Sequence, residues 1–156
     1  ETFIKKCKPK IELNIRLGNS KNWEMNPQKY FQYSHCIASI MDSYEQYYER
    51  RRGGVYGHFK FQMDKGDASL VVVFNQDKGI KKMICCSTIQ MLILLLFNDN
   101  DVIKYEYIKQ NIGAFEYELK NALLSMAHPN VRVLLKKPNN KTCNDNHEFR
   151  LNKNYS

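Results

Sequence analysis

The sequence predicts an α+β fold, in which a small α/β sheet layer is followed by a more helical second half. Two observations carry this prediction. In the first half, segments in which apolar and polar residues alternate lie on both sides of one long segment whose apolar residues have helical spacing. In the second half, three segments with helical spacing come first, and alternating segments follow them. The change falls near residue 85, so we predict two domains, residues 1–85 and residues 86–156.

The first half is predicted to contain a strand, a helix and two further strands. Apolar residues alternate with polar ones at 11–15, as in a half-buried strand. A helix with an aromatic stripe is predicted to begin after Ser34 as N-cap and to end at the arginines and glycines of 50–54. Strands are predicted at 55–63 and at 70–74, where a run of β-branched apolar residues indicates a buried strand.

Three helices open the second half. Ser87 is predicted to lie at the start of a helix at 89–97, which is apolar almost all round and therefore expected at the centre of the core. Two shorter amphipathic helices are predicted at 104–111 and 115–127, with Gly113 between them as a breaker. The first helix is expected to bury both Leu94 and Leu95.

A β-hairpin is predicted to end the chain. Strands at 131–136 and 149–151 flank a polar loop. Three helices followed by such a hairpin are the arrangement of a winged helix, a variant of the helix-turn-helix. The predicted fold is therefore a small α/β layer followed by a winged-helix domain.

The charge of the chain raises nucleic acid as a possible partner. The formal net charge is +8, from 24 Lys and Arg against 16 Asp and Glu. A winged helix that binds DNA places its third helix in the major groove, close to the phosphates. The charged residues of that predicted helix are Glu116, Glu118 and Lys120, so the helix is net acidic. We therefore expect protein packing rather than nucleic-acid contact, and a nucleic-acid-binding winged helix remains the alternative from a different class.

The residues that could carry catalysis or bind a metal are scattered along the chain. The five cysteines stand at positions 7, 36, 85, 86 and 143, and neither their odd number nor their spacing fits a disulfide framework. The four histidines lack the spacing of metal ligands, and none of the common catalytic motifs is present. We predict no catalytic residue, no metal site and no cofactor, and therefore not an enzyme. The longest apolar run, 89–97, is too short to cross a bilayer.

Four segments of the second half resemble the cullin family. Residues 87–98 are similar to the cullin segment STFQMAVLLLFN, and residues 118–127 to the helix ELKRTLQSLA. Residues 131–138 resemble RVLxKxP, and residues 149–152 are similar to the FxFN that comes after an acidic loop, with Leu151 in place of the second Phe. These segments are long, ordered and correctly spaced, which makes the resemblance specific.

The first half resembles cullins more weakly. Residues 11–15 are similar to a cullin strand, and Trp23 stands where cullins have Trp-Pro, although Glu24 replaces the proline. Val55 stands where the family has Arg, and Phe59 where it has Trp. The resemblance covers roughly residues 11 to 156. Because the chain opens with Glu1 rather than Met, we expect it to be part of a longer protein.

The resemblance implies the α/β layer and first winged helix of the C-terminal cullin homology domain. A cullin is the scaffold subunit of a cullin-RING ubiquitin ligase: its α/β layer accepts a strand from a RING-box protein, which holds a ubiquitin-conjugating enzyme. Substrate adaptors bind parts of the full-length chain that are absent here. The cullin-like subunit of the anaphase-promoting complex shares this region and remains an alternative. A cytoplasmic and nuclear location is expected.

The resemblance also suggests which residues dock the RING-box strand. They are the apolar and aromatic residues of the three predicted strands and the loop after the first: Ile11, Leu13, Ile15, Trp23, Phe59, Phe61, Leu70 and Val72.

A DNA titration tests whether the predicted winged helix binds nucleic acid. Because the third helix is net acidic, DNA binding is expected to be weak, independent of sequence and lost at physiological salt. Fluorescence anisotropy with a random and a selected duplex measures it. Sequence-selective, submicromolar binding at that salt would contradict the scaffold interpretation.

Overall fold

The protein is described here by a computed structural model, which describes residues 11–18, 35–52, 61–62, 65–75 and 77–155. Those ranges contain four α-helices and five β-strands. The chain forms two compact units: residues 1–28 and 33–62 make one, and residues 29–32 and 63–156 make the other.

A single long helix dominates the described part of the first unit. Helix α1 (His35–Arg52) confirms the predicted helix and its end at the arginines. Tyr44, 9% exposed, lies against Phe61, with the ring centroids 6.0 Å apart. Burial raises the pKa of the Tyr44 phenol, and the neighbouring Tyr48 and Tyr47 add to this. The aromatic stripe therefore builds the contact with Phe61.

The strand predicted at 11–15 is wrong. Residues 11–18 are in neither a strand nor a helix, and Ile11 is 41% exposed. Alternation marks a segment with two different faces, but a strand also needs a neighbour whose backbone groups pair with its own. The strand predicted at 55–63 lies mostly outside the described residues, and Phe61 and Gln62 are not in a strand.

The second unit opens with a β-hairpin. Strands β1 (Asp67–Asn75) and β2 (Ile80–Ser87) pair antiparallel, with Val71 opposite Met83. Gly79 adopts a left-handed conformation (φ 62°) just before β2, which a glycine does without strain. β1 confirms the strand predicted at 70–74, but β2 was not predicted.

The prediction that the first of these strands is buried is wrong. Exposed and covered residues alternate along β1: Val71 is 65% exposed, whereas Phe74 is 3% exposed. A continuous apolar run does not distinguish a strand buried on both faces from one that keeps an apolar face uncovered.

Helix α2 (Thr88–Leu96) continues from β2 without a loop, and it begins where the sequence predicted. Ser87 and Gln90 form a capping box: the Gln90 N–H donates to Ser87 Oγ at 3.3 Å, and the Ser87 N–H donates to Gln90 Oε1 at 2.9 Å. The helix buries most of its apolar surface, including Ile93 at 0% and Leu94 at 6% exposure, while Leu95 is only half-buried.

Together with α2, the remaining elements have the arrangement of a winged helix. Strand β3 (Val102–Lys104) precedes α3 (Tyr105–Ile112) and α4 (Glu116–Met126), and β4 (Leu134–Lys137) and β5 (Glu148–Leu151) complete the unit. β5 lies between β3 and β4, antiparallel to both. The sequence predicted the three helices and the final hairpin but not the three-residue β3.

The second unit has a continuous apolar core. Its fully buried side chains come from α2, α3, α4, β4 and β5: Tyr105, Phe149, Ile93, Ile108, Ile112, Leu119, Leu123 and Leu134. The two inward positions Leu119 and Leu123 lie one helical turn apart on α4, as the helical spacing predicted.

The hairpin belongs to the same compact unit as helix α2. The predicted boundary at residue 85 falls inside β2, and contacts tie the hairpin to helix α2. The Thr88 N–H donates to the Gly66 carbonyl at 3.1 Å, and α2 contacts both strands of the hairpin. The assignment of residues 1–85 and 86–156 to separate domains stays a prediction.

Two neighbouring leucines of α2 test the position of this helix. Leu94→Ala is expected to lower the free energy of unfolding by about 2–5 kcal/mol, because it leaves a cavity in the core. Leu95→Ala is expected to lower it by clearly less, because that side chain is half-buried. Denaturant unfolding of the chain and both variants measures the difference. Equal losses would show that the helix is rotated about its axis.

Candidate partner-docking surface

The structure brings together only some of the predicted docking residues. Leu13 and Ile15 are half-buried, and Ile11 is exposed, in the irregular segment of the first unit. Phe61 belongs to the same unit and lies against Tyr44. Trp23 and Phe59 lie outside the described residues.

Two predicted residues, Leu70 and Val72, lie side by side on the half-buried face of β1. They share this face with Phe74, and Ile84 stands opposite Leu70 on β2. They belong to the second unit, whereas Ile11, Leu13, Ile15 and Phe61 belong to the first. The predicted docking residues are thus divided between the two units.

The opposite side of the hairpin carries an exposed apolar surface that the sequence prediction missed. We call it the hairpin face; its side chains are Ser69, Val71 and Val73 on β1 and Lys81, Met83 and Cys85 on β2. Val71 is 65% exposed and Met83, directly opposite, is 73% exposed. Exposed apolar side chains in contact across a sheet are typical of a surface that another chain covers. Because apolar and polar residues do not alternate in 80–87, the sequence carried no clear signal for this face.

Each strand of the hairpin also has an outer edge. Among the described residues, β1 and β2 pair only with each other. An edge strand presents N–H and C=O groups that can accept a further strand. Among the residues that the structure describes, the hairpin therefore combines two unpaired edges with an apolar face, which is the geometry needed for strand addition.

Charge is distributed unevenly over the hairpin. Lys78, Lys81 and Lys82 are exposed near its turn, together with Asp77. Asp67 lies at the other end, paired with Ser87. The turn end is therefore basic, and an incoming strand with acidic residues at that end would be favoured over a basic one.

One of the two hairpin cysteines, Cys86, is held in its thiol form. Burial raises the pKa of the Cys86 thiol, and the neighbouring Cys85 raises it further. A raised pKa keeps the group protonated at neutral pH, and the protonated thiol is neither a nucleophile nor a metal ligand. Over the described ranges, no three His, Cys, Asp or Glu side chains lie close enough to hold a metal ion.

The hairpin is anchored to the rest of the second unit by Phe74. Its ring stacks on Tyr155, with centroids 4.4 Å apart and planes 20° from parallel. At the other end of β1, the bond from Thr88 to Gly66 fixes the start of the strand. The covered face is thus fixed to the winged helix, and the hairpin face is left outward.

The third helix of the winged helix is poorly suited to phosphate. Lys120, its only cation, is 2.8 Å from Glu116. The hydrogen bond between them lowers the pKa of the Glu116 carboxyl and raises that of the Lys120 ammonium. The second carboxylate, Glu118, accepts a hydrogen bond from the Tyr117 hydroxyl at 3.1 Å. The cation is therefore paired within the helix, and the surface stays acidic.

None of the helices in the described part of the chain has both the length and the hydropathy needed to cross a membrane.

Comparison with known proteins identifies one family. The family model for the cullin alpha+beta domain matches residues 18–155. The chain is 27% identical to human Cullin-4A over 142 residues, which is 91% of this chain and 18% of that protein. It is 30% identical to mouse Cullin-4A over 116 residues (74% of the chain, 15% of that protein) and 27% identical to Cullin-3 of Schizosaccharomyces pombe over 158 residues (97% and 20%). The chain spans about a fifth of the length of these curated relatives.

A pair of substitutions on opposite faces of β1 tests the anchoring. Phe74→Ala is expected to lower the free energy of unfolding by about 3–5 kcal/mol, because a buried aromatic ring is lost. Val71→Ala, on the exposed hairpin face, is expected to change it by less than about 1 kcal/mol. Thermal or denaturant unfolding measures both. A large loss in Val71→Ala would mean that the hairpin face is covered in the chain itself.

Proposed function

Since this chain belongs to the cullin family, we propose that it is a scaffold segment of a cullin-RING ubiquitin ligase. In this role the chain performs no chemical step. It holds a RING-box protein, and the RING-box protein holds the ubiquitin-conjugating enzyme. The family model that matches residues 18–155 supports the scaffold role in general terms.

The docking step is strand addition to the hairpin, and the observation that carries it is an edge, beside the hairpin face, that no described residue pairs with. An added strand gains main-chain hydrogen bonds to an edge, and its alternate side chains contact the sheet surface. Val71 and Met83 then lose their contact with water, which stabilises the complex by burying apolar area. The predicted residues Leu70 and Val72 support this site from beneath rather than by direct contact.

The other predicted docking residues belong to a second part of the proposed interface. Four of them lie in the first unit: Ile11, Leu13, Ile15 and Phe61. Trp23 and Phe59 lie outside the described residues, and the family resemblance alone assigns them to the interface. Substrate adaptors are proposed to bind parts of the full-length protein outside this chain.

Two other functions remain as rivals. A cullin-like subunit of the anaphase-promoting complex would use the same region. A nucleic-acid-binding winged helix is disfavoured by the Glu116–Lys120 pair on the third helix. A cytoplasmic and nuclear location is part of the proposal, and the free thiols of Cys85, Cys86 and Cys143 agree with it.

Hydrogen exchange with a partner peptide tests the proposal. An uncovered edge strand tends to pair with another chain, so the chain alone is expected to self-associate. A peptide with the N-terminal strand of the organism's RING-box protein is expected to slow amide exchange in β1 or β2 and to reduce this self-association, because it covers an edge. Exchange is measured residue by residue, and association by analytical ultracentrifugation.

The matched control is the same peptide with proline at alternate positions, which removes the N–H groups that pair with an edge. It is expected to protect nothing. Protection that is confined to α2–β5, or absent everywhere, would show that the docking surface has been assigned to the wrong part of the chain.

A further inference from the structure

The loop between β4 and β5 holds a buried histidine whose ring faces two backbone groups. His147 is 7% exposed. Its Nδ1 lies 3.2 Å from the backbone nitrogen of Asn144 and 3.1 Å from the carbonyl oxygen of Thr142. Both neighbours are within hydrogen-bond distance of the same ring atom.

One nitrogen cannot satisfy both groups at once. The N–H of Asn144 only donates, and the carbonyl of Thr142 only accepts. An Nδ1 with a lone pair accepts from Asn144, whereas an Nδ1 that carries a proton donates to Thr142. The proton on His147 therefore decides which of the two bonds exists.

The same loop caps the N-terminus of α3. The Tyr105 N–H donates to the His147 carbonyl at 2.9 Å, and the Glu106 N–H donates to the Asp145 carbonyl at 3.2 Å. α3 has no side-chain cap of its own, so these two carbonyls satisfy its first donors. Within the loop, the His147 N–H donates to the Asn144 carbonyl at 2.8 Å. A movement of Asn144 is therefore transmitted to the residues that hold α3.

We propose that His147 is a proton-operated switch between the β4–β5 loop and helix α3. In the neutral ring with its proton on Nε2, Nδ1 accepts from Asn144 and the loop is closed on the first turn of α3. A proton taken up from solvent at Nδ1 ends that bond and forms one to the Thr142 carbonyl. The Asn144 N–H is left without its partner, and the cap on Tyr105 and Glu106 loosens.

Charged and titratable groups surround the loop. They are Lys136 on β4, Glu148 on β5, Tyr105, Glu106 and Lys109 on α3, Glu116 and Lys120 on α4, and Lys141, Cys143 and Asp145 in the loop. The ion pair of Lys109 with Asp145, at 3.1 Å, ties the loop to α3 in either state. Lys136 Nζ donates to the Pro138 and Asn140 carbonyls at 2.9 and 3.0 Å and also to the Asn140 side chain, so the start of the loop is held independently of His147.

A pH titration of the isotope-labelled chain by NMR tests the switch. Ring nitrogen spectra report the protonation state of His147 as the pH is lowered from about 8 to about 5. Amide exchange is measured at each pH and corrected for its intrinsic pH dependence. We expect the protection factors of the Asn144, Tyr105 and Glu106 amides to fall roughly tenfold, with the same midpoint as the His147 ring.

Two substitutions to asparagine separate the switch from general effects of pH. In His147→Asn the amide oxygen can accept from Asn144 at every pH, so the step in protection should disappear. The matched control is His128→Asn: His128 is exposed, its Nδ1 accepts from the Asn130 N–H at 3.3 Å, and its loss should leave the step unchanged.

Several results would overturn the proposal. They are Nδ1 protonated at high pH, a His147 ring that does not titrate in this range, protection of Asn144 that stays constant while the ring titrates, and a step that persists in His147→Asn. If the variant does not fold, the comparison of midpoints in the unsubstituted chain still decides.

Discussion

The burial of helix α2 is the interaction on which the rest of the second unit depends. This helix contacts α3, α4 and both strands of the hairpin. Ile93 and Leu92, 0% and 3% exposed, lie at its centre, and each buried aliphatic side chain of this size contributes roughly 1.5–3 kcal/mol. Because β2 continues directly into α2, the direction of the helix also fixes the direction of the hairpin. The capping box at Ser87 marks the residue where strand becomes helix.

A second constraint holds the winged helix together at Tyr105. Its ring is 1% exposed, and the ammonium groups of Lys109 and Lys120 each lie 5.9 Å from its centre. Burial raises the pKa of the phenol to about 12, and the carboxylate of Glu116 adds to this. Within the described part of the chain, the buried hydroxyl has no hydrogen-bond partner, which is an uncommon cost in a core. The backbone N–H of Tyr105 also donates to the His147 carbonyl, so α3, the β4–β5 loop and α4 all contact this one residue.

The proposed scaffold role and the proposed switch rest on different parts of the second unit. The docking surface belongs to the hairpin, whose outward face is apolar and whose edges are free among the described residues. The switch belongs to the β4–β5 loop, whose carbonyls cap α3. The two are connected through α2, which contacts both the hairpin and α3. Because the docking surface and the switch use different residues, a change in one can still be measured separately from a change in the other.

The sequence alone determined most of the helices and the family. Helical spacing and the serine at 87 predicted α2 to within a residue, and the long cullin-like segments identified the family because they preserve order and spacing. The tertiary structure decided which segments pair as strands and which side chains are covered. Residues 11–15 alternate but form no strand, and the apolar run of β1 leaves Val71 exposed, because alternation and hydrophobicity say nothing about which neighbour is present. No sequence pattern marks the residues of the hairpin face or the two partners of His147 as neighbours. Strand pairing and the fold of the β4–β5 loop bring them together.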